Sequence, residues 1–355
     1  MSSAPHATTS FAATRAPDLV VIANPASGRG RGRRALRALE RALERAPERA
    51  PERAPERAPE RAPERAPASS AGVAPLVQLA QLHVTTTPGE ERTLALDATR
   101  AGAKTILALG GDGTWGNVAR GILAGGGTAR LALLAAGTGN DLAFATGLDV
   151  RDAEAALAIA RGTGERRIDV GEVDGVHFLN CVGFGFDAEV VRETRRTRWL
   201  RGHAVYLITA ARLLFGYRGF EAAIQWGEDR REAVTGVPSS QPDAVGRHLA
   251  LIVANGARIG GGFLIAPSAR VDDGRLDVVR VADVSPWRRG VVFSGAPRGR
   301  HLEAPEVTLR QSRALTLTFD APPVFEADGE LHQAQGSTLV VRCLAGALRL
   351  AVPTV

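Results

Sequence analysis

The sequence predicts an α/β N-terminal domain with a parallel sheet, followed by a β-rich antiparallel sandwich as the C-terminal domain. In the first half, short apolar runs alternate with helix-like segments, which is typical of parallel strands joined by crossover helices. From about Ile168 the pattern becomes strands separated by Asp-Gly and Asn-Gly turns, which favours antiparallel pairing. A chain of 355 residues is long enough for two domains.

We place the domain boundary after residue 150. Residues 1–17 lack the apolar core of roughly 7–15 residues that a secretory signal needs, so we expect a disordered lead-in. Residues 18–150 would form the first domain. Residues 151–355 would form the second, with the extreme C-terminus returning to the first domain.

A low-complexity insertion interrupts the first domain. Residues 44–67 read ERAP six times. Proline at every fourth position removes a helix donor in each turn and clashes with the preceding turn, so a continuous helix is excluded. We therefore expect an extended, solvated connection that lies outside the packed core and outside any site.

Composition narrows the functional classes. The chain carries 44 basic and 38 acidic residues, which permits an anionic partner without selecting one. Lys104 is the single lysine, so no lysine follows a glycine-rich loop and the GxxxxGK[ST] phosphate loop is absent. Two cysteines give neither a disulfide framework nor zinc-type spacing, which fits a cytoplasmic protein. The longest apolar helix candidate, residues 203–217, is shorter than the ~20 residues of a membrane span.

Four polar loops follow the four predicted strands of the first domain: NPASG at 24–28, TTTPG at 85–89, GGDGT at 110–114 and GTGND at 137–141. Since ligands bind at the carboxyl ends of parallel strands, we expect these loops to form one site. Backbone N–H groups in such loops attract phosphate. The candidate nucleotide-binding residues are Asn24, Pro25, Ser27, Gly28, Thr85, Gly110, Gly111, Asp112, Gly113, Thr114, Gly137, Thr138, Asn140 and Asp141.

Asp112 and Asp141 put a carboxylate into each of two loops that should attract anions. Two interpretations account for this. The carboxylates can hold hydrated Mg²⁺ that arrives with ATP, or accept the proton of an attacking hydroxyl. Alternatively, each can cap the helix that follows its loop.

The motifs NPASG, GGDGT and GTGND, in this order and spacing, resemble the diacylglycerol kinase catalytic-domain family, which includes sphingosine, ceramide and bacterial lipid kinases. The resemblance covers nearly the whole chain from Leu19. It implies a peripheral enzyme that uses ATP and Mg²⁺ to phosphorylate a lipid hydroxyl, of diacylglycerol or a related lipid. Residues 18–150 would then bind the nucleotide and residues 151–355 the lipid.

The second half extends the resemblance. The segment APSARVDDGRLDVV is similar to a family hairpin with a structural Mg²⁺, which implies the Asp273 side chain and the Arg270 and Arg275 carbonyls as ligands. Asp169 matches a position of a related Asp, water and Mg²⁺ network. The segment FEADGE resembles a late acidic motif that returns to the active site, which makes Asp328 and Glu330 catalytic candidates beside Asp112. Which carboxylate is the base stays open.

Strand geometry agrees with this assignment. Glu326 and Asp328 are two residues apart and would share one face of a strand. Asp328-Gly329 is a suitable hairpin turn. One departure is notable, because relatives commonly read Asn-Glu where this chain has Gly116-Asn117. A carboxylate is therefore missing from the junction between the GGDGT loop and its helix.

The same sequence features allow two other functions, and they indicate which partners to expect. An NAD kinase-like enzyme would share GGDGT, and a non-catalytic nucleotide- or nucleic-acid-binding protein would suit the high arginine content. The arginines are dispersed and aromatic residues make up only 5%, so we expect no nucleic-acid partner. The lipid substrate would be met at the inner membrane face, and the basic segment 192–201 around Trp199 fits either membrane contact or a solvated helix start. A homodimer stays open.

Overall fold

The structure is a computed structural model that describes residues 18–45, 80–196, 203–227 and 244–354. The lead-in 1–17, most of the ERAP tract and Trp199 lie outside the described residues. The described part of the chain has no helix that is long and apolar enough to cross a bilayer.

The first unit is a parallel sheet with helices on both faces. Its strands are β1 (Leu19–Ala23), β2 (Gln81–Val84), β3 (Thr105–Gly110) and β4 (Arg130–Ala135), in the order β2-β1-β3-β4. Its helices are α1 (Arg31–Arg45), α2 (Glu90–Arg100), α3 (Asp112–Ala124), α4 (Asp141–Thr146) and α5 (Ala153–Arg161). Helix α5 lies beyond the boundary placed after residue 150, but it packs on this sheet, so the first unit extends past that residue. The predicted parallel sheet is confirmed.

Burial explains why β1, β3 and β4 are almost continuously apolar. Val20, Ile22 and Ile106 pack under α2 and α3 on one face of the sheet. Val21 and Leu107 pack under α1 and α5 on the other face. A strand covered on both faces needs apolar residues at every position rather than at alternate ones.

The ERAP tract begins inside a helix. Glu44 and Arg45, the first two residues of the first repeat, are the last residues of α1. Arg45 also lies 3.6 Å from Glu154 of α5 in an exposed ion pair. The described helix extends to Arg45, two residues before Pro47. The prediction of an extended segment therefore has to start after Arg45, and the rest of the tract is outside the described residues.

The second unit is β-rich and mainly antiparallel, as predicted. Its strands are β5 (Glu165–Val173), β6 (Val176–Phe178), β7 (Cys181–Gly185), β8 (Phe220–Gly227), β9 (Ala244–Ala254), β10 (Leu276–Ala282), β11 (Val307–Ser312), β12 (Ala314–Phe319), β13 (Val324–Ala327), β14 (Glu330–Gln333) and β15 (Thr338–Ala351). The principal order is β14-β13-β7-β9-β8-β12-β15, with β10 pairing β9 and β11. The last residues of β15 also pair with β4 in parallel, so one strand belongs to both units.

After Ile168 the sequence pattern predicts one helical segment, at about 199–215. A helix lies within it, but a single helix is wrong for this half, because the described residues form three α-helices: α6 (Phe186–Arg196), α7 (His203–Leu213) and α8 (Pro286–Gly295). The chain leaves β7 through Gly185, whose φ of +79° ends the strand and allows α6 to begin. Because β7 is apolar, the sequence does not show where the two-residue spacing of the strand changes to the helical spacing of α6.

Candidate active site

The four polar loops lie side by side at the carboxyl edge of the parallel sheet. Backbone hydrogen bonds tie them together, from Asn24 N to Leu109 O (2.9 Å), Thr85 N to Ala23 O (2.9 Å) and Gly137 N to Gly110 O (3.0 Å). The sequence motifs are therefore brought together as predicted by the rule for parallel sheets.

Two glycines permit the closest approach between loops. A Cβ on Gly111 would lie 2.7 Å from the Gly137 Cα, and one on Gly137 would lie 2.5 Å from the Gly111 Cα. At Gly28 the backbone has φ +59°, and a Cβ would meet the Ala136 carbonyl oxygen at 1.7 Å. These loops need glycine because backbone meets backbone.

The Asn24 side chain is fully engaged within the protein. Its Nδ2 donates to Glu91 Oε1 (2.9 Å) and to Thr114 Oγ1 (3.2 Å). Its Oδ1 accepts from Ala26 N at 3.0 Å. Asn24 therefore shapes the NPASG loop, in which Pro25 and Ser27 are half-buried.

Glu91 is a site residue that sequence reasoning missed. Its side chain is buried and also accepts from Gly89 N (3.1 Å) and Asn117 Nδ2 (3.4 Å). It thus joins three segments around the nucleotide loops and supplies a carboxylate close to the position where Asn117 lacks one. The spacing of Glu91, Ala95 and Thr99, all on the buried face of α2, was the available signal.

Asp112 is the first residue of α3, but it caps a different helix. Its Oδ1 accepts from Leu142 N (3.1 Å) at the start of α4, and the Asp141 N–H also donates to it. The N-cap position of α3 is Gly111, which has no side chain with which to cap the helix. Burial, with the charges of Asp141 and Asp328 adding to it, raises the pKa of Asp112 to about 6.

Asp328 faces Asp112 across an interdomain cleft of about 390 Å³ that both residues line. It starts the β13–β14 turn, where Asp328 and Gly329 have φ of +48° and +81°. This confirms the predicted Asp-Gly hairpin turn. Its oxygens accept from Leu179 N (2.7 Å), Asn180 N (2.8 Å) and Cys181 N (3.2 Å).

The electrostatics of Asp328 reflect two opposing causes. Burial raises the pKa of its carboxyl, while the three N–H donors and the Arg120 charge lower it. Arg120 is itself buried on α3, and its Nη2 lies 3.4 Å from Glu330 Oε2. Glu330 is half-buried, and it is not among the residues that line the cleft. The third catalytic candidate is therefore an ion-pair partner of Arg120.

A buried pair of carboxyl groups, Asp187 and Glu326, lies beside Asp328 in the same cleft and was not a candidate from sequence. They share a hydrogen bond, and burial together with the Asp187 charge raises the pKa of Glu326 well above its usual range. Glu326 Oε2 accepts from Gly329 N (2.7 Å), which fixes the turn that carries Asp328. The alternation of Glu326 and Asp328 along the strand was the only signal in the sequence.

Asp141 connects the two units. Its carboxylate lies 2.8 Å from Arg258 Nε and accepts from Gly261 N at 2.9 Å. Arg258 also donates to Gly139 O (3.0 Å) and stacks over the Phe144 ring at 4.3 Å. The GTGND loop thus binds the second unit through its acidic residue.

The predicted metal hairpin lies away from the cleft. Buried Asp169 accepts from Gly274 N and Gly346 N, both at 2.7 Å, and so joins the hairpin to β15. Asp273 Oδ1 accepts from Arg275 N at 3.0 Å.

Burial, followed by the charges of Asp169 and Asp273, raises the pKa of Cys343 to about 12. Among the described residues no cluster of three or more His, Cys, Asp or Glu side chains could hold a metal. The Asp273 site stays a prediction.

This arrangement defines a class of protein, a parallel sheet with glycine-rich loops joined to a β-rich antiparallel unit, with a carboxylate-lined cleft between them. Residues 60–173 match the family model "Diacylglycerol kinase catalytic domain" and residues 180–352 match "YegS C-terminal NAD kinase beta sandwich-like domain". The chain belongs to the diacylglycerol kinase catalytic-domain family.

Curated relatives carry the name "Probable lipid kinase YegS-like". A Pseudomonas aeruginosa relative is 40% identical over 198 residues, which is 56% of this chain and 61% of that protein. A Pseudomonas putida relative is 32% identical over 77% of this chain and 88% of that protein.

Among solved structures, a diacylglycerol kinase from Bacillus anthracis is similar to this chain with a TM-score of 0.61. It is 16% identical, and the match covers 96% of this chain and 98% of that one. This likeness shows that the two proteins share a fold.

Proposed function

We propose that the protein is a lipid kinase that transfers the γ-phosphoryl group of ATP, supplied with Mg²⁺, to a hydroxyl of diacylglycerol or a related lipid. The observation that carries the proposal is Asp112. It lies where the nucleotide loops meet the interdomain cleft, and burial raises its pKa to about 6. A carboxyl group that titrates near neutral pH is suited to accept a proton at the working pH.

The nucleotide end of the site fits a phosphate chain. Gly111 and Gly137 leave room for close approach of backbone, and Asn140 Oδ1 is buried without a hydrogen-bond partner among the described residues. No lysine is available, so backbone N–H groups at the start of α3 would hold the phosphates. The loop 24–28, Thr85 and Thr138 would enclose the rest of the nucleotide.

The donor set of the cleft fits Mg²⁺. Asp112 and Asp328 provide carboxylate oxygens, and the Asn180 side-chain oxygen is buried with no partner in the described parts of the chain. Such hard oxygen donors suit an ion that keeps several of its waters. When bound, Mg²⁺ neutralises the charge of the phosphates. Asp273, with the Arg270 and Arg275 carbonyls and Asp169, would hold a second ion that stabilises the hairpin.

In the transfer step Asp112 would accept the proton of the lipid hydroxyl and Asp328 would orient that hydroxyl. Above pH 6 Asp112 is ionised, because its pKa is about 6. Asp328 is held by three backbone N–H groups and cannot rotate without losing them. Glu330 would act indirectly by holding Arg120 against Asp328. Phosphoryl transfer depends mainly on such positioning.

A neighbouring apolar cavity supports a lipid acceptor. It has a volume of about 70 Å³ and shares Asp187 and Ile259 with the cleft. Its other walls are almost entirely apolar and include Phe186, Leu214, Phe263, Val292 and Phe293. The volume admits only a short part of an acyl chain, whose methylene groups suit these walls, whereas a polar acceptor such as NAD does not.

The test is ATP turnover with a panel of acceptors: diacylglycerol, a phospholipid with a glycerol headgroup, a sphingoid base, NAD, and none. We expect phosphate transfer to at least one lipid and none to NAD. Phosphorylation of NAD alone would contradict this proposal and show that the protein is an NAD kinase-like enzyme. ATP binding without transfer to any acceptor would favour a non-catalytic nucleotide-binding protein.

A further inference from the structure

Two helices of the second unit expose apolar residues to solvent. On α8, Trp287 is 79% exposed and Val291 is 48% exposed. They are four residues apart and therefore share one face of the helix. On α7, Ile208 is 53% exposed, and Phe215 just beyond the helix is 63% exposed. An exposed tryptophan and phenylalanine within a few residues of other apolar side chains are uncommon on a surface without a partner.

These exposed faces are the outer sides of the helices that wall the apolar cavity. Leu214 and Val292, on the inner sides, line it. Arg289 fixes the two helices to each other, because its Nη1 donates to Leu214 O (2.9 Å) and Tyr217 O (2.8 Å) beyond the C-terminal end of α7. The exposed residues therefore flank the cavity that would receive an acyl chain.

The charge of this surface is basic. Neither α7 nor α8 contains an acidic residue. Arg212 is exposed on α7 four residues after Ile208, and Arg298 is exposed three residues after the end of α8. Nearby acidic residues are already paired, Glu306 with Arg288 and Glu303 with Arg300. Exposed apolar residues with arginines that have no ion-pair partner in the described parts of the chain complement an anionic bilayer.

We propose that Trp287, Val291, Ile208 and Phe215, with Arg212 and Arg298, form a docking surface for anionic membranes. This docking surface would place the cavity mouth at the headgroups, so that a lipid could enter without crossing water. The inference rests on the proposed function for the identity of the lipid substrate, but membrane binding can be measured without any turnover.

The test is flotation of the full-length protein with phosphatidylcholine vesicles, with and without phosphatidylglycerol. We expect binding that needs the anionic lipid. Trp287→Ser should lower the partition coefficient by about tenfold or more, since an aromatic side chain buries some 150–250 Å². Trp287→Tyr should keep most of the binding. Arg212→Gln should lower binding to anionic vesicles by about fivefold.

Val245→Ser is the matched control for Val291→Ser, because Val245 is 67% exposed on strand β9 and lies outside the docking surface. Only Val291→Ser should reduce binding. Equal binding of Trp287→Ser and wild type, or equal binding to both vesicle types, would overturn the proposal. So would a dimer that Trp287→Ser converts to a monomer, which would assign the surface to a second copy of the chain.

Turnover of a short-chain, water-soluble acceptor without vesicles separates this inference from the proposed function. The docking variants should leave that rate unchanged. If wild type phosphorylates the soluble acceptor but binds no vesicle, the docking surface is wrong and the kinase assignment stands. If wild type binds vesicles through Trp287 but phosphorylates no acceptor, the docking surface stands and the kinase assignment is wrong.

Discussion

Asp112 has a structural role in the protein, and we propose a chemical role for the same carboxylate. It accepts the N–H groups that begin α4, and it faces the cleft close to the charges of Asp141 and Asp328. The capping interpretation and the catalytic interpretation, which the sequence offered as alternatives, are therefore compatible. An experiment has to separate the shape of this side chain from its charge.

Asp112→Asn makes that separation. Asparagine can still accept from Leu142 N, so the cap is kept, but the charge is lost. We expect turnover to drop by about 10² or more, the usual scale of general-base help. Because Asp and Asn have nearly the same shape, a normal rate of lipid phosphorylation in this variant would remove Asp112 from the chemistry.

The same variant should be more stable than wild type above pH 6. Burial raises the pKa of Asp112 from 3.8 to about 6, so the folded protein binds this proton more tightly than the unfolded chain does. Wild type therefore loses stability as pH rises from about 4 to 6, and Asn removes a penalty of about 1–3 kcal/mol. Urea unfolding at pH 8 and pH 4 should show a difference only at pH 8.

Glu91→Gln tests the missed carboxylate. Glu91 holds the Asn24 amide, so its loss should loosen the NPASG loop and raise KM for ATP by about tenfold, on the scale of a hydrogen bond to a charged group. KM for the lipid should stay the same. Asp97→Asn, on the exposed side of α2, is the control. A rise in both KM values, or in neither, would show that Glu91 does not position the nucleotide loop.

At the scale of elements, the hairpin 270–275 depends on Asp169 for its attachment and on Asp273 for its own turn. Asp273→Ala should lower activity in a way that excess Mg²⁺ partly restores, because a weakened oxygen site needs more metal to fill. Asp272→Ala is the matched control, since Asp272 pairs with Arg166 and Arg270 instead. An unchanged Mg²⁺ dependence would remove Asp273 from the metal site.

The ERAP tract should be dispensable beyond the helix that it enters. We expect replacement of residues 46–67 by a short Gly/Ser linker to leave the melting temperature and turnover nearly unchanged, because proline every fourth residue prevents packing as helix or strand. Glu44 and Arg45 must stay, as they complete α1. Loss of folding on replacement of 46–67 would show that the tract packs against the domain.

On the scale of the whole molecule, a shared strand and an ion pair are among the contacts that hold the units together. Strand β15 pairs with β12 and β5 of the second unit and with β4 of the first. Asp141 of the first unit meets Arg258 and Gly261 N of the second. The cleft between Asp112 and Asp328 depends on this connection, because each unit contributes one of its walls.

Arg258→Gln should therefore weaken the binding of both substrates, ATP and the lipid. It leaves the buried Asp141 carboxylate without its ion pair, which should lower the free energy of unfolding by about 2–4 kcal/mol. We expect KM for ATP and for the lipid to rise together. Arg151→Gln breaks an exposed pair with Asp149 and should cost less than about 1 kcal/mol. Stability like wild type in Arg258→Gln would mean that Asp141 does not couple the units.

The fold class and the loops of the site could be predicted from the sequence. Continuous apolar runs predict β1, β3 and β4 because strands covered on both faces have no polar side, and the GGDGT and GTGND loops that follow such runs are predicted to meet at one edge of the sheet. The Asp328-Gly329 turn was also predictable, since its backbone conformation needs those residue types. These are local properties, and local sequence encodes them.

The tertiary structure, and not the sequence, shows which side chains meet. It assigned Asp112 to the cap of α4, Asp141 to Arg258, Glu330 to Arg120 and Glu91 to Asn24. It also paired Asp187 with Glu326, although about 140 residues of chain separate them. The partner of a buried polar group is set by the packing of distant elements, and burial then sets the pKa. Neither quantity follows from the spacing of residues along the chain.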